Sequence, residues 1–513
     1  MSPAANPPAV GVLPWRIRSA GNRTFWRDVF FANLPLPFQK LRTYLWVIVF
    51  SRTLGPSEFG IWSLFQTTIG MAMIVTSMTQ GNAMMRFLGG DRTPEQINRV
   101  FSSVIAAVTV SGVLCALILA GFANSLAPPL FHDRLGRRVI LLIALILPFE
   151  NWFEQMRGLL RARRLNRMWA CLTLGRQMPE AMFLLLLVLL WKANVIGLIG
   201  GYLLSTVLSV VAALGYLFRY QGVRFVRPMV SVWTSYLPYG LALVPAGLVS
   251  TISFSADRYL VGYYLNLRQV GIYSVCFTIS ALGFFFVGPL NDVLLPEIGA
   301  LYDSGDWTEF YGRFSMVQKL VLGVAMGATS LLVAFPQQLL HLLSSSEFAS
   351  GGSTLIVLGL QGVFMSMVML YVVVLCVRSR VWWTTLVWAG MGALVLGGDV
   401  ILLPRIGIVG AGISQLVSSI AGAIAVIGLN KDIFRRTFQW RWLPQCGAPV
   451  LGVVLVAHFW RGSSYSTARP LQQLLVGAAV FLTGLLVTRY LRVTDLLGLG
   501  QAARTRNSSL WQK

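Results

Sequence analysis

Charged residues are scarce in this chain of 513 residues, and acidic residues are the scarcest. Only 12% of the residues are charged, with 18 Asp and Glu against 41 Lys and Arg, whereas soluble domains carry about a quarter. Hydrophobic residues make up 56% of the chain, and apolar runs of membrane-spanning length recur from end to end. The sequence therefore predicts an all-α polytopic membrane protein without a separate soluble domain.

Residues that form metal, redox and nucleotide sites are also few. The five cysteines and three histidines are dispersed, and no glycine-lysine loop for ATP phosphates is present. We therefore expect no cofactor and no metal. The net charge of +23 would suggest nucleic acid in a soluble protein. Because Lys and Arg accumulate in the cytoplasmic loops of membrane proteins, topology explains it better, and we expect no nucleic-acid partner.

About fourteen apolar segments are long enough to cross a bilayer. Most Lys and Arg fall in alternate loops, most densely at 157–167, which predicts that both termini are cytoplasmic. The predicted divisions are a cytoplasmic tail at 1–28, an N-terminal lobe of six spans at 29–220, a C-terminal lobe of six spans at 231–430, two further spans at 443–490 and a cytoplasmic tail at 491–513.

One short pattern occurs twice. Residues 54–65, LGPSEFGIWSLF, and residues 265–276, LNLRQVGIYSVC, share a glycine, an isoleucine and a serine at an offset of 211 positions. Six predicted spans separate the copies, so both point the same way across the membrane. The pattern predicts parallel repeats related by an axis along the membrane normal.

Prolines occur in the first span of each predicted lobe, at Pro35 and Pro37 and at Pro238 and Pro245. Proline removes a backbone donor and bends a helix. Interrupted segments at matching places in two halves indicate a transport site, so we expect both spans to be interrupted. The alternative is that these membrane helices accommodate proline without any function.

Six stretches spread over about residues 30–430 resemble the multidrug/oligosaccharidyl-lipid/polysaccharide exporter superfamily, and in particular its polysaccharide transporter branch with the O-antigen-type flippases. They are SRTLGPSEFGIW, GNAMMRFLGGD, LPYGLALVPAG, DRYLVGYYLNLRQVGIYS, LLPEIGALYDSGD and RIGIVGAGISQLVSS. The resemblance implies two six-helix lobes around a central cavity, alternating access and a lipid-linked glycan as substrate. It also implies a place in a bacterial inner membrane.

Two cations lie about halfway along the first span, Lys40 and Arg42. A charge near the bilayer centre costs roughly 2.5–3.5 kcal/mol, so such residues face water, a partner or a ligand. We expect them to bind the phosphates of a polyprenyl-pyrophosphate-linked sugar, Arg bidentately and Lys as a point charge. The alternative is that both side chains extend to the membrane interface.

Further charges lie in the fourth and fifth spans. Arg176 and Glu180 stand four residues apart, and they either neutralise each other or leave Arg176 to extend the cationic wall. Glu150 is expected to pair with Arg176 or Lys40, with proton uptake during transport as the alternative.

In the second half, the repeat offset relates Lys40 and Arg42 to Thr251 and Ser253. These hydroxyls are candidates for sugar contacts, and the alternative is that they join neighbouring helices. Asp257 and Arg258, at the outer end of the seventh span, are expected to form a local ion pair.

These features predict a transporter rather than an enzyme. The predicted function is the export of a polyprenyl-pyrophosphate-linked oligosaccharide, with membrane lipids and other polysaccharide assembly proteins as partners. A drug or cation antiporter of the same fold is one alternative. A membrane-embedded glycan polymerase or ligase is the other, although such enzymes need a long outer loop and the predicted outer loops are short.

Overall fold

The computed structural model describes residues 31, 33–88, 92–131, 135–460 and 468–490. The regular elements in these ranges are all helical, which confirms the predicted all-α class. The α-helices are α1 (Pro35–Ser77), α2 (Gln80–Phe87), α3 (Pro94–Gly121), α4 (Ala123–Phe131), α5 (Leu135–Ala162), α6 (Asn166–Leu189), α7 (Val195–Tyr220), α8 (Val230–Ser255), α9 (Asp257–Tyr264), α10 (Leu267–Ser280), α11 (Val287–Ser304), α12 (Trp307–Ala334), α13 (Pro336–Leu343), α14 (Gly352–Val377), α15 (Val381–Ile406), α16 (Ile408–Leu429), α17 (Lys431–Thr437), α18 (Trp442–Phe459) and α19 (Ala468–Val487). The predicted tails at 1–28 and 491–513 lie outside the described residues.

Twelve candidate membrane spans are long and apolar enough to cross a bilayer within the described part of the chain. One of them, α1, has 43 residues, about 65 Å at 1.5 Å per residue, or twice the hydrocarbon thickness. Gly55 lies within α1 at φ 74° and ψ 172°, a conformation that glycine adopts readily. It divides α1 into the first two predicted spans.

The eighth predicted span, residues 270–290, is broken. Helix α10 ends at Ser280, a 3₁₀ turn covers 281–283, and α11 begins only at Val287. The two pieces together with the divided α1 account for all fourteen predicted segments. The break contains three consecutive phenylalanines, 284–286, of which Phe285 packs against Tyr44 of the first span.

The expected interruption of the seventh span is wrong. Helix α8 runs without a break through Pro238 and Pro245, because a membrane helix can lose single backbone hydrogen bonds without unwinding. In the first span, Pro35 occupies the first helical position of α1, where its missing N–H costs nothing.

Local sequence explains where several helices begin. Thr93 and Gln96 form a reciprocal capping box at the start of α3, with Pro94 as its first residue. Asn266 caps α10 by accepting a hydrogen bond from the Gln269 backbone N–H. These caps satisfy backbone donors at helix ends that would otherwise be unpaired.

The two halves of the chain meet at both ends of the helices. We use "outer" for the end that the Lys and Arg distribution predicts to be extracytoplasmic, and "inner" for the opposite end. Near the outer end, α1 packs closely against α10. Near the inner end, α8 packs against α2 and α3, where the Thr79 hydroxyl donates to the Gly240 carbonyl at 2.6 Å. The division into lobes at 29–220 and 231–430 stays a prediction.

Candidate functional site

Four charged side chains from three helices of the first half form one connected network. Arg42 on α1 donates from Nη1 to Oε1 of Glu180 at 2.7 Å. The other oxygen of Glu180 accepts from Nε of Arg176 at 3.2 Å, both residues lying on α6. Arg176 also contacts both carboxylate oxygens of Glu150 on α5, with Nη1 to Oε2 at 2.9 Å. Two arginines and two carboxylates therefore balance within the network.

Helix α7 completes the surroundings of Glu150. The Tyr202 hydroxyl donates to Oε1 of Glu150 at 2.8 Å, and the Thr206 hydroxyl lies 3.2 Å from the same oxygen. The guanidinium of Arg176 stacks over Phe153 with its carbon 4.6 Å from the ring centroid. Arg176 from α6 and the pair Tyr202 and Thr206 from α7 thus converge on Glu150 of α5, since residues four apart share a helix face. The buried charges are thus well supplied with partners.

Arg42 is less completely enclosed than the rest of this network. Its side chain is 19% exposed, while that of Glu180 is 0% exposed. Its guanidinium stacks over Trp46 at 4.4 Å. Its Nε has no hydrogen-bond partner within the described ranges. Arg42 therefore has one buried donor that no described residue satisfies, while the rest of its side chain is partly exposed.

Lys40 lies outside the network on an exposed face of α1. Its ammonium is 5.7 Å from the ring centroid of Phe285, which belongs to the break between α10 and α11. Tyr44, one turn further along α1, also packs against Phe285. Lys40 forms no ion pair with another described residue. It is a cation without a carboxylate, placed where the two halves of the chain meet.

Sequence reasoning identified part of this arrangement. The Arg176–Glu180 pair and the Glu150–Arg176 pair are both present. The Arg42–Glu180 contact was not predicted, because it joins residues 138 positions apart and depends on the packing of α1 against α6. These contacts describe geometry, and the roles of the residues in binding stay predictions.

The predicted sugar-contacting residues on α8 are not near Lys40 or Arg42 in any contact that the structure shows. Ser253 is buried and donates to the carbonyls of Val249 and Trp388, each at 2.8 Å. This is the helix-joining alternative, because Trp388 lies on α15. Thr251 is half-buried.

A second charged cluster, in the other half, was missed. Asp257 at the start of α9 accepts hydrogen bonds from the Tyr273 hydroxyl and, at 3.0 Å, from the Gln415 amide. Its expected ion pair with Arg258 is present but long, at 3.5 Å. Asp399 is fully buried on α15, a helix that packs against α9, which begins at Asp257.

Asp399 has no ion pair among the residues that the structure describes. Neither of its carboxylate oxygens has a hydrogen-bond partner of good geometry, although the Ser414 side chain lies beside it. An isolated buried carboxylate is costly unless a proton or a cation neutralises it. The signal was in the sequence, since an aspartate in the apolar run LVLGGDVILL is expensive in a membrane helix.

A cavity of about 500 Å³ opens near the outer end of this half. Its lining comprises Tyr264, Leu265, Asn266, Gln269, Ser350, Ile406, Gly407 and Ile408. Tyr264 lies seven residues after Asp257 on α9, and Ile406 lies seven residues after Asp399 on α15, a helical distance of about 10 Å. Two helices thus lead from the cavity to the acid pair.

Comparison with known families decides the classification. A model of the family described as polysaccharide biosynthesis protein matches residues 25–301, which is more than half of the chain. The chain belongs to this family. The match begins before the first span and ends within α11, so it includes Lys40, Arg42 and both copies of the repeat. A search of curated protein sequences finds no significant match.

Solved structures of low sequence identity share the fold. A structure of the lipid II flippase MurJ in an inward closed conformation superposes with a TM-score of 0.72 at 13% identity, covering 90% of this chain and 98% of MurJ. A multidrug resistance MATE family transporter of the MOP superfamily, in an inward-facing conformation, gives 0.69 at 15% identity, covering 79% and 98%. A MOP superfamily transporter from Pyrococcus furiosus gives 0.56 at 14% identity, covering 80% and 97%. The predicted superfamily resemblance is confirmed.

Proposed function

We propose that this polysaccharide biosynthesis family member flips a polyprenyl-pyrophosphate-linked oligosaccharide from the inner to the outer leaflet by alternating access. The product would serve the synthesis of cell-surface or extracellular polysaccharide, such as O-antigen. The setting is a bacterial inner membrane with both termini in the cytoplasm, and the partners are membrane lipids and other polysaccharide assembly proteins. The MurJ likeness supports the proposal, because that protein is a lipid II flippase.

The observation that carries the proposal is the unpaired cation Lys40 at the junction of the halves, two residues from Arg42. A pyrophosphate would first meet the Lys40 ammonium. Arg42 can then exchange Glu180 for phosphate, since guanidinium binds both groups in the same forked geometry. Arg176, which both glutamates enclose, supports this site from behind rather than contacting the headgroup.

The direction of transport follows from the charge of the headgroup. A pyrophosphate with roughly two negative charges that leaves a negative-inside cell gains about 2.3 kcal/mol per charge per 100 mV. The membrane potential alone therefore favours export. The glycan would pass between the two halves of the protein while the polyprenyl tail stays in lipid.

The acid pair Asp257 and Asp399 is the better candidate for ion coupling than Glu150 and Glu180. Both glutamates are engaged with arginines, whereas Asp399 has no cationic partner among the described residues. This observation also favours the second candidate function, a drug or cation antiporter. An antiporter would exchange an organic cation for the ion at the acid pair.

Reconstituted liposomes test the proposal with a fluorescent polyprenyl-pyrophosphate oligosaccharide and a fluorescent organic cation as rival cargo. The Lys40→Gln and Arg42→Gln double variant should lower the flipping rate of the glycolipid 10- to 100-fold, the loss expected for charge-assisted contacts worth about 1.5–3 kcal/mol. Lys431→Gln, an exposed lysine at the start of α17, is the matched control and should flip at the wild-type rate.

The outcomes separate the candidates. Unchanged glycolipid flipping in the double variant overturns the phosphate role of both residues. Transport of the organic cation without glycolipid flipping supports the antiporter. Elongation of the glycan by the purified protein would support the polymerase or ligase instead.

A further inference from the structure

The two copies of the sequence repeat contact each other directly. The Ser63 hydroxyl of the first copy donates to the Ser274 hydroxyl of the second at 2.7 Å, and the two residues are 211 positions apart. This spacing is the repeat offset itself. Equivalent residues therefore meet across a local twofold axis between α1 and α10, as in the contact of two identical subunits.

Backbone approach at this contact is closest at two glycines. A Cβ on Gly60 would lie 2.1 Å from the Leu267 carbonyl oxygen, and a Cβ on Gly271 would lie 1.9 Å from the Pro56 carbonyl oxygen. Pro56 and Leu267 are themselves equivalent in the two copies. The contact is reciprocal, and each glycine is required because any larger residue would strike backbone rather than a movable side chain.

Two contacts beside the glycines also join the first half to the second. Arg52 donates to the carbonyls of Leu342 at 2.6 Å and Ser344 at 3.2 Å, at the C-terminal end of α13. Phe59 packs edge-on against Phe348, with ring centroids 6.1 Å apart. All of these residues lie near the predicted outer end, so this end of the molecule is closed in the structure.

We propose that the Gly60–Gly271 contact, with the Ser63–Ser274 hydrogen bond, is the outer gate of the transport cycle. This inference rests on the proposed function, because rocking of two like-oriented halves must separate them at one end to release cargo. The contact suits repeated opening. The two glycines have no side chains that interlock with each other, and one hydroxyl pair contributes only about 0.5–1.5 kcal/mol.

Cysteine cross-linking provides the direct test. The variant carries Ser63→Cys and Ser274→Cys in a background whose five native cysteines are replaced by alanine or serine. Hydroxyl oxygens 2.7 Å apart lie close to where the two sulfurs of a disulfide belong. Oxidation should join the halves and reduce flipping at least tenfold, and reduction should restore it. Each single-cysteine variant is the control and should be insensitive to the oxidant.

Glycine substitution provides the second test. Gly60→Ala and Gly271→Ala should force the outer end apart, so that a membrane-impermeant maleimide labels a cysteine at position 274 or 63 severalfold faster. Gly70→Ala on α1 and Gly288→Ala on α11 are matched controls, because a Cβ at either position meets nothing within 4 Å. The controls should label at the rate of the parent protein.

The results distinguish failure of the gate from failure of the proposed function. Full flipping by the oxidised, cross-linked protein would mean that this contact stays closed throughout transport, and would overturn the gate. Equal maleimide labelling in the Gly60→Ala variant and the Gly70→Ala control would do the same. If the parent protein flips no glycolipid, while oxidation still joins the two cysteines and the glycine variants still label faster than their controls, the gate stands and the proposed cargo is wrong.

Discussion

In the first half of the molecule the buried carboxylates Glu150 and Glu180 each contact an arginine, whereas in the second half the buried carboxylate of Asp399 contacts no arginine in the part of the chain that the structure describes. The charges of the first-half network balance without a ligand, and removing any one of its four side chains would leave a buried charge without its full set of partners. The acid pair is incomplete without a proton or a cation. The contrast supports the proposed anion binding in the first half and the proposed ion coupling in the second.

The largest expected effect comes from breaking the balanced network. Glu150→Gln leaves Arg176 to share Glu180 with Arg42, so the free energy of unfolding in detergent should fall by about 3–5 kcal/mol. Denaturant or thermal unfolding measures the loss. Adding Arg176→Gln should cost less than the sum of the two single changes, because both belong to one network. Additive losses would contradict a shared network.

A smaller loss in the free energy of unfolding is expected when Asp257 loses the hydroxyl that donates to it. Tyr273→Phe removes the hydrogen bond to Asp257, and bonds to charged groups are worth about 1.5–3 kcal/mol. The same unfolding assay measures it, with Tyr263→Phe, an exposed tyrosine on α9, as the control. If both variants unfold alike, the Asp257 hydrogen bond contributes nothing to stability.

Asp399→Asn should act in the opposite direction to Glu150→Gln. Removing an unpartnered buried carboxylate should leave stability unchanged or raise it by about 1–3 kcal/mol. In liposomes the same variant should lose the dependence of flipping on an imposed sodium or proton gradient. A destabilisation as large as that of Glu150→Gln would mean that Asp399 has a partner, and the contrast between the halves would disappear.

The smallest effect is expected one turn from Glu150 on the same helix. Glu154 is 44% exposed and lies 3.4 Å from Arg157. Exposed pairs of this kind are worth about 0–1 kcal/mol, so Glu154→Gln should unfold almost as the parent protein does. A loss near that of Glu150→Gln would show that the assay responds to removal of any glutamate from α5, rather than to the buried network.

Local features of the sequence predicted most of the fold. Apolar runs and the repeat are visible without knowing which helices touch, so the number of spans and the like orientation of the repeats could be read from the chain. The i,i+4 pair Arg176–Glu180 could be read in the same way. The Arg42–Glu180 pair could not, because its partners come together only when α1 packs on α6.

Two features could not be predicted correctly from the sequence, each for a different physical reason. Prolines suggested that α8 was interrupted, but the break lies at 281–286, in a run that hydropathy alone scores as a continuous span. Asp399 was overlooked although its cost in an apolar helix is as great as that of Lys40. Its significance depends on Asp257, which is distant in sequence and near in the fold.

Tyr273 lies between Gly271 and Ser274, on a helical turn of α10 that contacts the first half of the molecule. While its neighbours face α1, its hydroxyl turns inward to Asp257. One turn of helix thus contributes both to the contact between the halves and to the hydrogen bonding of the acid pair. Under the proposed ion coupling, loading or emptying the acid pair would alter the Tyr273–Asp257 hydrogen bond, and Tyr273 would transmit that change to the residues that join the two halves at the outer end.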